Sequence, residues 1–396
     1  MTAYIVSATR TPIGKFGGAL KDVTPVDLGA HVMRAALEQA GVSGDALDLY
    51  IMGNVLRAGH GQLMPRQAAI KAGISADIDG YALDMVCSSG MMAVMNAAMM
   101  IKAGEADLVL AGGMESMSQA GFFLSHRARW GYKYLSGKPE PVADILEVDG
   151  LFDPIEQQSM GRETDRLSAE YGITREEVDW VACNSQKRAA QATADGIFAN
   201  EITPIEVKVR KKGMVAVEKD EGIRPNTSME SLGRLRAAFS ENGILTAGSA
   251  SQISDGAACL LVASEKAVKE HNLTPLARIV GSSWAAVESW RFVEAPVPAL
   301  KKIFKKHNLA AADIDLYENN EAFATNSVLF NKVFDIPYEK LNIYGGGISL
   351  GHPIGATGAR LFVTLLNGLQ QTNGKLGIAS LCHGVGGGTA VLIERM

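Results

Sequence analysis

Two stretches of the chain follow one plan, and this internal repeat limits the fold more than any other feature. A helical stretch, Val32–Ala40, leads to Asp48-Leu49-Tyr50, and another, Ala299–His307, leads to Asp315-Leu316-Tyr317. Cys87 follows the first aspartate, and His352 the second, at nearly the same distance. Each then stands just before an apolar helix. Each helix is followed by a strand and a glycine cluster, Gly112-Gly113 in one case and Gly384 to Gly388 in the other. Chance similarity of two α/β units is the bland alternative; four features in matched order favour two copies of one fold. Duplication would bring both helix N-termini, and with them Cys87 and His352, near a shared pseudo-twofold axis.

Short β-branched runs alternate with helical stretches, the signature of an α/β chain. The opening Met1–Gly14 reads as a strand, and Val26–Ala40 as an amphipathic helix ended by Gly41. Asp107–Ala111 reads as a buried strand that ends in a turn at Gly112-Gly113, with further strands at Leu376–Leu381 and Thr389–Ile393. The 396 residues therefore divide into an N-terminal unit, 1–121, completed by about 250–272, and a C-terminal unit, 273–396. Between them, 122–249 reads as an insertion with its own helices, Met160–Tyr171 and Arg175–Ala194, and a charged, hairpin-like Lys208–Arg224.

The insertion also holds a basic, aromatic run from His126 to Lys138 with Arg127, Arg129 and Lys133 and no acid. Over the whole chain, however, 43 acidic residues outnumber 38 Lys and Arg, for a net charge of −5. That balance argues against a nucleic-acid partner. No window approaches the ~18 uninterrupted apolar residues of a membrane span. The first residues lack the basic lead of a signal peptide, and Glu394-Arg395-Met396 is not a peroxisomal address, so cytoplasmic localisation is the expectation. In a reducing compartment the four scattered cysteines, with no CxxC among them, are free thiols and not a disulfide framework or zinc site.

Cys87 stands at the head of Met91–Ile101, a helix apolar on nearly every side. There the macrodipole and free N–H groups stabilise a thiolate. The alternative is an inert buried cysteine, and local sequence alone does not separate the two. His352 lies in a glycine-rich loop, Gly345–Gly358, whose backbone must approach something closely. The same loop contains Gly347-Ile-Ser349-Leu-Gly351, which matches the GxSxG nucleophile elbow. A hydrolase triad needs an acid and then a histidine downstream. No acid falls between Ser349 and His383, so the serine hydrolase reading fails. Cys382-His383-Gly384 follows a strand and offers a thiol beside exposed backbone donors, or simply a glycine turn. Glu318-Asn-Asn-Glu321, taken alone, reads better as a solvated loop than as a polar site.

Taken together, these residues resemble the thiolase family. Its signatures appear in order: Cys-x-Ser at Cys87, Asn-Glu-Ala-Phe at Asn320–Phe323, Gly-His-Pro at Gly351–Pro353 and Cys-x-Gly at Cys382–Gly384. Ala8–Gly14, Gly112–Met117, Thr246–Ser251 and Asp255–Ala258 extend the resemblance over essentially the whole chain. It implies a duplicated αβαβα five-layered core with an inserted loop domain.

The resemblance also implies a reversible condensation of two acetyl-CoA to acetoacetyl-CoA plus CoA, by ping-pong kinetics through an acyl-cysteine. In that scheme Cys87 is the nucleophile, and His352 activates it and then helps bind the substrate oxyanion. Cys382 is the acid/base, and Asn320 holds a water of the first oxyanion hole. The N–H groups of Cys87 and Gly384 form the second. Leu151, Met160, Ala247, Ser251 and Phe323 are placed along a pantetheine tunnel. The CoA phosphates fall to some of Lys208, Arg210, Lys211, Lys212, Arg224, Arg234 and Arg236. Coenzyme A thioesters are substrates, and no cofactor or metal is implied. A homodimer or homotetramer is expected, with the basic run 126–138 tying dimers together or lying as a plain surface loop.

Departures bear on the substrate. Short-chain members usually have His-Met-Gly where this chain has Ser159-Met160-Gly161, a methionine near Phe292 and an aliphatic residue at His383. Leu235-Arg-Ala-Ala-Phe239 replaces the usual Leu-Arg-Pro-Ala-Phe. Met160 still favours a short acyl chain. His383 either tunes Cys382 as an imidazolium or packs away from it. The alternatives are a degradative 3-ketoacyl-CoA thiolase of broader chain length and a β-ketoacyl carrier-protein synthase, which lacks a second catalytic cysteine. A non-enzymatic lipid-binding member of the fold would not need all four signatures.

Overall fold

The fold is that of a computed structural model, which describes residues 1–132 and 141–396. The duplicated elements, in chain order, are β1 (Ala3–Arg10), α1 (Pro25–Ala40), β2 (Leu49–Gly53), β3 (Gly80–Leu83), α2 (Ser89–Ala103), β4 (Leu108–Ser116) and β5 (Ser254–Ser264). The second set is β6 (Ala277–Ala286), α3 (Pro296–His307), β7 (Leu316–Asn319), α4 (Ile354–Thr372), β8 (Leu376–His383) and β9 (Gly387–Arg395). One continuous sheet runs β7-β8-β9-β6-β1-β5-β4-β2-β3. Its halves meet where Tyr4 and Ile5 of β1 pair with Arg278 and Ala277 of β6.

The halves match in detail. β1, β5 and β4 are antiparallel neighbours, then β2 and β3 run parallel; β6, β9 and β8 are antiparallel, then β7 is parallel. In the second half an isolated parallel bridge, Tyr317 to Leu341, stands where β3 pairs with Tyr50. Even the bulges recur, between Ile5 and Ser7 in β1 and between Ile279 and Gly281 in β6.

Alternation along the strands sets the layers. Leu108 and Leu110 face an outer core with Val32, Met33 and Ala68, whereas Val109 and Ala111 face a central one. Tyr317 and Ile378 face another outer core with Leu300 and Ile303, and Leu316 and Ala379 face the central one. The central core holds α2 and α4 between the two half-sheets, giving the five layers αβαβα. Residues 86–103 are on average apolar enough to cross a membrane, although Ser88, Ser89, Asn96 and Lys102 interrupt them. The all-round apolarity instead suits a helix flanked by sheet on both sides. α2 and α4 cross closely: a Cβ on Gly358 would lie 2.2 Å from Met91 N, and one on Gly90 would lie 2.9 Å from Ala359 N.

Gly112-Gly113 is not a turn. The strand runs on to Ser116, paired throughout with β5; a Cβ at Gly112 would sit 2.2 Å from Ala258 O, and one at Gly113 would sit 2.1 Å from Gly355 O. The glycines let the neighbouring strand and the start of α4 approach.

The insertion lies between β4 and β5, where the second half has only Gly384–Gly386 between β8 and β9. It contains the helices Met160–Glu170 and Arg175–Ala194 and the hairpin Ile205–Val209 with Gly213–Val217. A buried cation anchors it: Arg10 bonds Glu201 at 2.8 Å and both oxygens of Asp220 at 2.7 and 2.9 Å. Of the basic run, Lys133 and Lys138 lie outside the described residues.

Candidate active site

The thiol of Cys87 is held on a short loop at the head of α2. Ser89 Oγ accepts from Met85 N at 2.8 Å and donates to Val86 O at 2.6 Å. Ser88 Oγ lies 2.9 Å from Thr389 Oγ1 of β9, which ties this loop to the turn Gly384–Gly386. Val86 (φ 49°) and Val385 (φ 60°) both adopt the left-handed region, strained for β-branched residues by about 1–3 kcal/mol each. The result aims the N–H of Gly384, and that of Cys87 itself, at the Cys87 sulfur.

His352 is oriented by its own helix. Thr357 Oγ1 donates its single proton to Pro353 O at 2.9 Å, so toward His352 Nδ1, 2.6 Å away, it can only accept. Nδ1 thus carries the ring proton and Nε2 presents a lone pair. Asn320 Nδ2, a donor, lies 3.3 Å from that Nε2, in agreement. The His352 N–H bonds Gln252 O at 3.0 Å, fixing the loop.

Glu318-Asn-Asn-Glu321 is buried throughout and is not a solvated loop. Glu318 pairs with Arg360 at 3.2 Å, and Glu321 accepts from Ser185 Oγ at 2.6 Å and Asn342 Nδ2 at 3.3 Å. Asn320 donates its N–H to Ser380 O at 2.9 Å; its Oδ1 is buried with no hydrogen-bond partner among the described residues. These bonds, invisible in a local reading, compensate the burial of a polar run. Ser349 is buried in the same network, 2.9 Å from Ser185 Oγ and 3.2 Å from Gly346 O.

Cys87, Leu151, Met160, Ser251, Phe323 and His352 line one cavity of about 450 Å³, together with Phe239 and Ile354. Gly384 lines an adjoining hollow with Val86 and Met160. Ala247 is exposed on its turn and does not line the cavity. Phe239 and Phe323 meet edge-on at 5.7 Å. Phe292 is fully buried behind Phe323, with ring centres 6.3 Å apart, so it shapes the wall without forming it. Of the seven basic candidates for phosphate binding, Arg234 is already paired with Glu230.

Burial sets the charge state. It pushes the Cys87 thiol well above its usual range, helped by the neighbouring Cys382 and opposed by the N–H groups of Gly384 and Cys87. Of the two alternatives the sequence left open, burial favours the neutral thiol over a helix-terminus thiolate. Burial likewise pushes Cys382 up to about 12, against a hydrogen bond from Asn326, and pulls His352 down to about 3 with a smaller push from Arg360. His383 is also pulled down by burial, and its Nδ1–H donates to Gly384 O at 2.8 Å. The ring is thereby tied to the turn that carries Gly384. Thr357 and Asn326 escaped the sequence reading; Thr357 lies within the quoted glycine-rich loop and Asn326 three residues past the Asn320–Phe323 motif.

The comparisons agree with this geometry. Residues 3–266 match the model of the thiolase N-terminal domain and 273–395 that of the thiolase C-terminal domain. An acetyl-CoA acetyltransferase of Synechocystis is 59% identical over 99% of both chains. One of Escherichia coli is 45% identical over 99% of this chain and 98% of its own. The crystal structure of the Bacillus anthracis acetyl-CoA acetyltransferase, 41% identical, superposes over 100% of this chain and 99% of its own with a TM-score of 0.96. A thiolase of Ascaris suum in complex with coenzyme A, 35% identical, superposes over 100% of both with a TM-score of 0.93. A duplicated five-layer fold, Cys87 and His352 on one cavity and these full-length matches lead to one conclusion: the chain belongs to the thiolase family of acyltransferase enzymes.

Proposed function

We propose that the protein is an acetyl-CoA C-acetyltransferase that joins two acetyl-CoA into acetoacetyl-CoA and CoA, reversibly. The observation that carries this reading is the meeting of Cys87 and His352 on one cavity, with Cys382 and the Gly384 N–H beside the Cys87 sulfur.

In the first half-reaction His352 Nε2, already unprotonated, takes the Cys87 proton as the sulfur attacks the acetyl carbonyl. The oxyanion faces the N–H groups of Cys87 and Gly384, donors of the kind worth ~3–4 kcal/mol each. CoA leaves with the proton from His352, and acetyl-Cys87 remains. In the second, the Cys382 thiolate removes a methyl proton from another acetyl-CoA. The enolate oxygen lies toward the Asn320 amide donor, and the carbanion attacks the acetyl-Cys87 carbonyl. The Cys87 sulfur departs and recovers its proton from Cys382. Met160, Phe323 and the buried Phe292 crowd the cavity, which favours a four-carbon product. Broader 3-ketoacyl-CoA thiolysis is the second reading, favoured by the hollow beyond Met160.

Such a reaction belongs to fatty acid metabolism in the cytoplasm. A homodimer or homotetramer is proposed, with the strand pair Phe122–Phe123 and Ala143–Asp144 presenting exposed aromatic rings beside the basic run.

Mass spectrometry after mixing with acetyl-CoA tests the reading. An acetyl group on the Cys87 peptide, absent in Cys87→Ala, is the expected result; no adduct and no CoA release would overturn it. A thiolytic rate that peaks at six carbons or more would remove the acetoacetyl preference.

A further inference from the structure

We propose that Asn326 is a positioning residue for the Cys382 thiolate, the amide that makes this buried sulfur usable as a base. The inference rests on Cys382 being the group that moves the α-proton.

Asn326 opens the helix Ala324–Phe334, and its side chain is fully engaged. Oδ1 accepts the Phe323 N–H at 3.0 Å, which caps the helix start and fixes which way the amide faces. Nδ2 must then point the other way, and it donates to Cys382 Sγ at 3.4 Å. The backbone is held as well: Asn326 O accepts from Asn319 Nδ2 at 3.3 Å, and Asn319 Oδ1 accepts from Ser380 Oγ at 3.1 Å. Ser380 and Cys382 are alternate residues of β8, so a closed loop of side chains locks the donor onto the sulfur.

A neutral thiol is a poor acceptor and a thiolate a strong one. The bond therefore favours the ionised sulfur, against a burial that leaves the residue no water. Capping alone requires only an acceptor; the donor half of the amide has no structural task. Asn326→Asp keeps the shape and the capping oxygen and sets an acidic group against the sulfur, whereas Asn326→Ala removes both halves.

The experiment follows two rates in each full-length variant: acetylation of Cys87 by acetyl-CoA, and deuterium uptake from heavy water into the methyl group of acetyl-CoA. Loss of a charge-assisted hydrogen bond lowers the thiolate fraction about ten- to hundred-fold. Both variants should lose that much methyl exchange, recover it only at higher pH, and acetylate Cys87 within about two-fold of the parent. Equal losses in the two rates would make the role structural and overturn the proposal. So would parent-like exchange in both variants while Cys382→Ala is inactive. Parent-like exchange in Cys382→Ala would instead overturn the assignment of Cys382 as the base.

Discussion

Thr357 decides which nitrogen of His352 carries the proton. The hydroxyl spends its own hydrogen on Pro353 O and accepts from Nδ1 at 2.6 Å, leaving Nε2 bare toward Asn320. Thr357→Val keeps the shape and removes the acceptor, so the ring can hold its proton on Nε2. Cys87 acetylation is expected to slow by about ten-fold or more, from loss of one buried hydrogen bond and the wrong tautomer. Pre-steady-state CoA release reads it directly; an unchanged burst rate would show that the tautomer is fixed elsewhere.

The repeat was legible because it is written in residues that do the same task twice. Asp48 Oδ2 accepts from the N–H groups of Asp107 and Leu108 at 2.6 and 2.8 Å; Asp315 Oδ2 accepts from Lys375 and Leu376 at 2.7 and 2.9 Å. Each aspartate pins the start of the strand beside its own. The places of Cys87 and His352 were legible for a similar reason, since each stands just before a helix of the central layer. Two things were not. Glu318–Glu321 is polar enough to pass for a loop, because its partners Ser185, Asn342 and Arg360 come from distant elements. The charge state of Cys87 depends on burial among the layers, which no local window reports.

The two half-reactions should respond differently to pH. Transfer of the Cys87 proton to His352 conserves charge within the site, and His352, pulled down to about 3, does not titrate near neutrality. Acetylation of Cys87 is expected to be flat between pH 5 and 9, with no limb near ~6.5, the usual histidine value. On the proposed mechanism methyl exchange needs the Cys382 thiolate, pushed up to about 12, so it should rise about ten-fold per pH unit over the same range. A histidine limb in the acetylation profile would refute the neutral resting state.

The same burial makes His352 a source of acid sensitivity. Below its unfolded value of ~6.5 the unfolded chain takes a proton that the folded chain refuses until about 3. The stability it contributes is full above the unfolded value and falls as pH drops through that window. His352→Asn should flatten the stability-versus-pH slope between pH 6 and 4 by about one proton, or ~1.4 kcal/mol per pH unit. Parallel denaturation curves for the two proteins would count against it.

Gly358 sets the separation of α2 and α4. A methyl there would meet Met91 N at 2.2 Å, and backbone cannot step aside as a flexible side chain can. Gly358→Ala is expected to cost about 1–3 kcal/mol by overpacking and to lower Tm by several degrees. Because Cys87 and His352 sit at the heads of these two helices, activity should fall more than stability alone explains. A variant with parent Tm would mean that the helices slide apart freely.

Glu163 is a buried acid whose carboxyl faces the side chains of Asp153 and Gln158. Its neighbour Asp153 is held as an anion by Ser289 and by the N–H groups of Ile155 and Glu156. Burial first, and then Asp153, push Glu163 up to about 8. The folded chain therefore keeps a proton that the unfolded chain releases near its ordinary carboxyl value, and stability is lost as pH rises through that interval. Glu163→Gln cannot titrate, so its advantage over the parent should grow between pH 5 and 8.5, read as the difference in Tm at the two values. A difference that stays constant would refute a carboxyl kept protonated by burial and by Asp153. Asp153 lies in the strand pair Phe152–Asp153 and Gln158–Ser159, which leads straight into Met160 on the cavity wall. Repulsion between the two acids above pH 8 therefore falls on a segment of the cavity wall, and KM for the thioester should rise in the parent and not in Glu163→Gln.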